Sequence, residues 1–197
     1  MVHTGYWKLS DSCELTLDTN TVNTNLKLSD TNRTVTCVEE FEPYPDHTER
    51  FDYWPQLLCR DGLTGRCYWE VEMRGEGVAI AVSYRGISRR GDSDDCMFGH
   101  NDHSWRLWCS DDGNSVWHNN QGTSIPSSSV SDRVAVYVDC PAGSLSFYTV
   151  SSDLLIHLYT FNITFTEPLY PGFGFGSYGS SVSLCSLEEE TTSCPVV

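Results

Sequence analysis

Hydrophobic and polar positions alternate along much of this chain, most clearly over residues 133–150. Val134, Val136 and Val138 fall on one face of an extended segment, with Ala135, Tyr137 and Asp139 on the other. A period of two marks a strand with one face against a core. Cys140-Pro141-Ala142-Gly143 then breaks the pattern with strong turn residues. Leu145, Phe147 and Thr149 resume it against Ser144, Ser146 and Tyr148. The stretch predicts a β-hairpin with a short loop, and the other segments read as strands packing around it.

Three short alternating runs come first, at residues 13–18, 26–29 and 34–38, separated by Asn, Asp and Thr turns. They read as strands of a small subunit that cannot be stable alone. Residues 41–56 are aperiodic and rich in proline and aromatics, a long connection of the kind that often carries binding. Strands are predicted at 57–59, 67–73 and 77–84, the last nearly continuous apolar sequence with small residues on one side, as a central strand requires. Residues 85–99 read as a charged, Gly-punctuated loop, 104–109 and 115–118 as strands, and 119–131 as a second loop. Further strands follow at 154–161, 169–176 and 181–187, and residues 188–197 read as a frayed acidic tail. No amphipathic helix of ten or more residues stands out. Short strands at roughly 8–12-residue spacing predict an all-β fold, a two-layer antiparallel β-sandwich.

Composition narrows the function. The 197 residues suffice for one large β domain, and 39% hydrophobic, 12% aromatic and 20% charged content fits a folded chain. The formal net charge of −15 repels nucleic acid and anionic membrane, so neither is expected as a partner, and a basic patch on another protein is the better expectation. No apolar run approaches the ~20 residues of a membrane span, and the residues before Tyr6 do not read as a signal peptide. Nine irregularly spaced cysteines fit free thiols in a reducing compartment better than a disulfide framework. Two sequons, Asn32-Arg33-Thr34 and Asn162-Ile163-Thr164, pull towards secretion. The expected location is cytoplasmic, with secreted as the alternative.

Four runs carry a resemblance. They are Tyr68-Trp69-Glu70-Val71-Glu72, Trp105-Arg106-Leu107-Trp108, Val138 through Tyr148 with its Asp139-Cys140-Pro141-Ala142-Gly143 turn, and Pro168-Leu169-Tyr170-Pro171-Gly172-Phe173. In this order and spacing the chain resembles a PRY–SPRY (B30.2) domain. The PRY part covers residues 6–55, with Leu17-Asp18-Thr19 where the family usually has Leu-Asp-Pro. The SPRY part covers residues 56–187, with Cys140 at a more commonly aromatic position. The runs over residues 66–72 and 116–120 resemble the fish branch, whose domains end TRIM-type ubiquitin ligases, NOD-like receptors and stonustoxin-type pore-forming toxins. The resemblance implies a concanavalin-like jelly roll of two curved sheets. It also implies a protein-binding surface of variable loops, and neither a catalytic centre nor a cofactor. A target protein is then the expected partner, and any dimer would form through N-terminal parts of a parent protein.

Within this frame, Trp69 is expected in the core, with Glu70 and Glu72 facing solvent; Phe147 is expected inside and Tyr148 partly out. Tyr53 and Trp54, in the aperiodic segment, are either a plug between subdomains or ligand contacts, since Tyr and Trp dominate interface hot spots. Arg89, Arg90, Asp92, Asp94 and Asp95 form a loop of mixed sign, either solvated or a rim that selects a partner. Trp105 and Trp108 lie three apart on a strand and point to opposite faces; the resemblance makes Trp108 the surface residue of the pair. Trp117, His118 and Asn119 extend the same patch into a shallow aromatic groove with acidic edges. Cys96, His100, His103 and Cys109 have metal-ligand residue types, but their C-x3-H-x2-H-x5-C spacing matches no common zinc module. Gly172 through Gly176 lacks the Lys-Ser/Thr pair and helix of a phosphate loop, and its glycines are expected to allow a bend or close packing. No G-x-S-x-G or H-E-x-x-H motif occurs.

Overall fold

The computed structural model describes the backbone of residues 2–3 and all of residues 10–126 and 130–187; the acidic tail at 188–197 lies outside them. The strands are β1 (Val2–His3), β2 (Leu26–Leu28), β3 (Thr34–Cys37), β4 (Gln56–Leu58), β5 (Arg66–Arg74), β6 (Val78–Tyr84), β7 (Ser104–Ser110), β8 (Gly113–His118), β9 (Gln121–Ile125), β10 (Arg133–Asp139), β11 (Ser144–Ser151), β12 (Leu154–Asn162), β13 (Leu169–Phe175) and β14 (Ser181–Leu184). They form an eight-stranded sheet, β1-β12-β11-β10-β5-β14-β3-β2, and a six-stranded sheet, β4-β13-β6-β7-β8-β9. Every strand-to-strand ladder is antiparallel. Between residues 11 and 187, the helical turn among the described residues is the 3-10 turn Asp94–Cys96.

The hairpin of β10 and β11 sits as its pattern dictates. Val134, Val136 and Val138 pair across to Thr149, Phe147 and Leu145, and on the other side to Val71, Trp69 and Cys67. These side chains meet Val78, Ile80, Val82, Trp105, Leu107, Val116 and Phe173 of the six-stranded sheet in one core. β6 is buried at all seven positions, because loops close over its outer face. There Phe51, Ile87 and Phe98 pack on Ala81 and Leu58. The small residues of β6 and β13 permit this approach: a Cβ on Gly172 would stand 2.8 Å from the Phe98 ring.

Several expectations change. Residues 13–18 form no strand; isolated bridges Ser12–Tyr68 and Leu17–Cys59 dock them onto sheet edges instead. Residues 121–125, read as loop, form β9, whose polar sequence suits an exposed edge strand. Glu70 is not solvated: its side chain is 3% exposed and pairs with Arg133 at 3.2 Å. Tyr148 is buried too, in a second cluster with Tyr68, Ala135 and Leu155, so that part of the eight-stranded sheet is covered on both faces. Cys13 and Cys67 are joined in a disulfide, which corrects the reading of nine free thiols; Cys37, Cys59, Cys96, Cys109, Cys140 and Cys185 are free. Val2 and His3 pair with Ile156 and Leu155 at the edge of the eight-stranded sheet.

Candidate functional site

The outer face of the six-stranded sheet carries an open groove of about 350 Å³, lined by Trp54, Pro55, Gln56, Ala79, Met97, His100, Arg106, Trp108, Gly174, Phe175 and Gly176. Strand parity explains the lining. On β7, Trp105 and Leu107 enter the core, so Arg106 and Trp108 point out. On β8 the partner of Arg106 is Trp117, which also points out. The guanidinium carbon of Arg106 lies 4.9 Å from the centre of the Trp108 ring and 5.7 Å from that of Trp117. His100 stacks on Trp117 at 5.0 Å with an interplanar angle of 12°.

Three glycines fit the aromatic rings into place. A Cβ on Gly122 would stand 2.6 Å from the Trp117 indole, which lies flat across β9 for want of a side chain there. At Gly176 a Cβ would meet the Trp108 ring, also at 2.6 Å. Gly99 has φ +84°, a left-handed conformation that suits glycine, and a Cβ would press on the stem of Arg106 at 2.8 Å.

The walls are built rather than loose. Gln56 donates Nε2 to Cys96 O at 2.7 Å and accepts Phe98 N–H at 2.9 Å, tying β4 to the loop after the 3-10 turn. Asn101 donates to Asp94 O and Met97 O, each at 2.9 Å, and accepts the Ser104 hydroxyl at 2.8 Å. Such fully bonded loops present a preformed surface.

His100 contacts Asn120 Oδ1 through Nδ1 at 2.9 Å and Arg106 Nη2 through Nε2 at 3.0 Å. Arginine is always a donor, so Nε2 accepts and Nδ1–H donates, which fixes the neutral tautomer. Burial, then the charge of Arg106, pushes the His100 pKa down. Burial alone brings the Arg106 guanidinium down to about 10.

The structure distributes the residues picked out from sequence unevenly. Trp54 and Trp108 line the groove; Trp117 closes the far side of Arg106; Tyr53 is exposed and meets Trp54 edge-on at 4.9 Å. Asp92, Asp94 and Asp95 are exposed on the loop beside the groove, Asp94 within 3.9 Å of His100. Arg90 is half-exposed and pairs with Asp46 at 3.6 Å and Asp52 at 3.8 Å. Arg89 is buried instead: it donates to Ile87 O, Glu49 O and Arg85 O at 3.0, 2.8 and 2.6 Å, pairs with Glu49, and lies over the Phe51 ring. It clamps the loops and is not at the surface. His118 turns to the opposite face, stacked on Trp105 at 4.5 Å with Nδ1 against Ser104 O. Asn119 and Asn120, at φ +50° and +61°, form the two-residue turn between β8 and β9. Met97, His100, Arg106 and Phe175 were missed. The signal for Arg106 was legible, since it shares its strand face with Trp108.

Other chemistry finds less support. Cys109 faces the inter-sheet core while His100 lines the outer groove, so the four metal-ligand types are split by the sheet. Among the described residues no group of three or more His, Cys, Asp or Glu is placed to hold a metal ion. Burial raises the thiols of Cys37, Cys59, Cys96, Cys109, Cys140 and Cys185, that of Cys109 to about 12, the opposite of an activated nucleophile. Among the described residues no helix is long and apolar enough to cross a membrane.

Known proteins place this architecture. The profile of the SPRY-associated domain, PRY, matches residues 15–63, and that of the SPRY domain matches residues 66–187. The chain is 42% identical over 181 residues to neoverrucotoxin subunit alpha of Synanceia verrucosa, covering 87% of this chain and 25% of that subunit. It is 33% identical over 184 residues to tripartite motif-containing protein 16 of Mus musculus, covering 92% of this chain and 33% of that protein. The chain thus spans a third or less of either relative. The crystal structure of the TRIM65 PSpry domain superposes with a TM-score of 0.81 at 28% identity, covering 90% of this chain and 92% of that one.

Proposed function

This chain belongs to the PRY–SPRY family, and on that premise we propose that it is a protein-recognition module working through the outer groove of its six-stranded sheet. The observation that carries this reading is the groove itself: a preformed aromatic surface of Trp54, Trp108 and Trp117 around Arg106, walled by hydrogen-bonded loops. Such a surface holds an extended segment with little ordering cost, and half-buried tryptophans are what interfaces use as anchors. The relatedness to tripartite-motif proteins supports a place as the target-binding domain of a cytoplasmic TRIM-type ubiquitin ligase or innate immune receptor. Ligase chemistry would then lie in other parts of the parent protein. Trp108→Ala and Trp54→Ala should each abolish recovery of the partners that proximity labelling finds for the wild type. The melting temperature should shift by only about 2–4 °C, the effect of roughly 1 kcal/mol in a chain of this size. Unchanged partner recovery in both variants would refute the reading.

A second reading, a secreted stonustoxin-type toxin subunit, is favoured by two observations besides relatedness to neoverrucotoxin. Cys13 and Cys67 are paired, and both sequon asparagines, Asn32 and Asn162, are exposed.

A further inference from the structure

Arg106 differs from Arg50, Arg85, Arg89 and Arg133. Arg85 and Arg89 pair with Glu49, and Arg133 with Glu70. Arg50 is held by the carbonyls of Pro45, Thr19 and Val22. Arg106 has no carboxylate within ion-pair distance among the described residues, in a chain with 27 acidic residues against 12 basic ones. Among the described residues its Nε is shut off from solvent without a hydrogen-bond partner, and its Nη2 bonds to a neutral imidazole. At Nε this cation has lost water, and the guanidinium has gained two ring faces and one neutral acceptor. A carboxylate entering the groove would supply the missing charge and the bidentate geometry that guanidinium favours.

We propose that the groove takes an acidic side chain, Asp or Glu, of an extended segment from a partner protein, with the carboxylate on Arg106 and a neighbouring apolar residue between Trp54 and Trp108. The proposal rests on the recognition reading above and names what that site selects. Elsewhere in the lining, Gln56 and His100 are neutral and offer the acid no competing charge, and Met97, Phe175 and Gly176 offer the apolar neighbour a dry wall. The exposed Asp92, Asp94 and Asp95 stand at the rim, so basic residues suit the flanks of the segment while the acid goes to the floor.

The test is selection from a randomised dodecapeptide display library on the whole chain, followed by affinity measurement of one selected peptide. The expected peptides bind in a Trp108-dependent way and share one acidic position beside an aromatic or aliphatic residue. Changing that acid to its amide should weaken binding to the wild type about tenfold or more, and less than about twofold to Arg106→Gln. Arg106→Lys should give an intermediate loss, because the charge remains and the fork is gone. The amide peptide leaves the protein untouched, so a misfolded variant cannot imitate the result. Trp108-dependent peptides with no acidic preference, or an amide penalty unchanged in Arg106→Gln, would overturn the proposal and leave the recognition reading standing. Absence of any Trp108-dependent peptide would overturn both.

Discussion

At the scale of single residues, His100 shows how one contact sets a charge state. Arg106 and Trp117 press on it from β7 and β8, Asn120 bonds it from the β8–β9 turn, and Asp94 approaches at 3.9 Å from its own loop. Burial and Arg106 outweigh Asp94 and Asn120, so the folded chain holds the imidazole neutral below its ordinary range. Between the depressed folded pKa and the unfolded value near 6.5, the unfolded chain binds more protons, so stability rises with pH there. The contribution is present above pH ~6.5 and is lost as pH falls through the folded pKa. Urea unfolding from pH 7.5 down to 5 should therefore show a steeper loss for the wild type than for His100→Gln. Parallel pH profiles would show that the imidazole titrates normally in the folded chain. The charge of this residue was not legible in the sequence, because Arg106 and Asn120 reach it only once β7 and the β8–β9 turn are in place.

At the scale of elements, the loop over residues 85–103 decides whether the sheet has a groove or a bare face. Two buried polar residues hold it, Arg89 against three carbonyls and Asn101 against two. Arg89→Ala would strip three carbonyls of their donor and remove the ring contact with Phe51, at a cost of about 2–3 kcal/mol. Hydrogen exchange should then quicken across residues 85–100 while β10 and β11 keep their protection. Uniform loss over the whole chain would mean that Arg89 supports the core and not the loop. The strands were legible where one face was apolar, as on β10, β11 and β5. β9 was not: Gln121, Gly122, Thr123 and Ser124 are all exposed at an edge, so burial imposed no alternation. Residues 13–18 erred the other way, since docking on a sheet edge also buries alternate side chains without making a ladder.

At the scale of the whole molecule, residues 10–37 belong to the same body as the rest of the described chain. Leu17, Val22, Leu26 and Val35 sit in the main core, and β2 and β3 extend the eight-stranded sheet through β14. The Cys13–Cys67 bond, spanning 54 residues, ties this segment to β5. Alkylation of the native protein without reductant should therefore leave Cys13 and Cys67 unlabelled, and Cys13→Ser should cost about 2–4 kcal/mol by freeing the unfolded chain. Labelling of both cysteines in freshly isolated protein, with unchanged stability in the variant, would put the chain in a reducing compartment. The pairing was invisible in irregular spacing; it took β5 and the docked segment to bring two cysteines together.

The alternation of apolar and polar residues by itself determined that the chain is all-β, which faces of the main strands form the core, that Trp69 lies inside, and that Trp105 and Trp108 take opposite faces; the family resemblance named Trp108 as the outer one. Tertiary structure alone decided which polar residues would be covered: Glu70 and Arg89 buried with partners, His118 turned onto Trp105, Arg106 enclosed by two tryptophans and, among the described residues, left without a carboxylate. The reason is physical. A strand's periodicity reports only which face a side chain takes, whereas its solvation and charge depend on what distant segments close over that face.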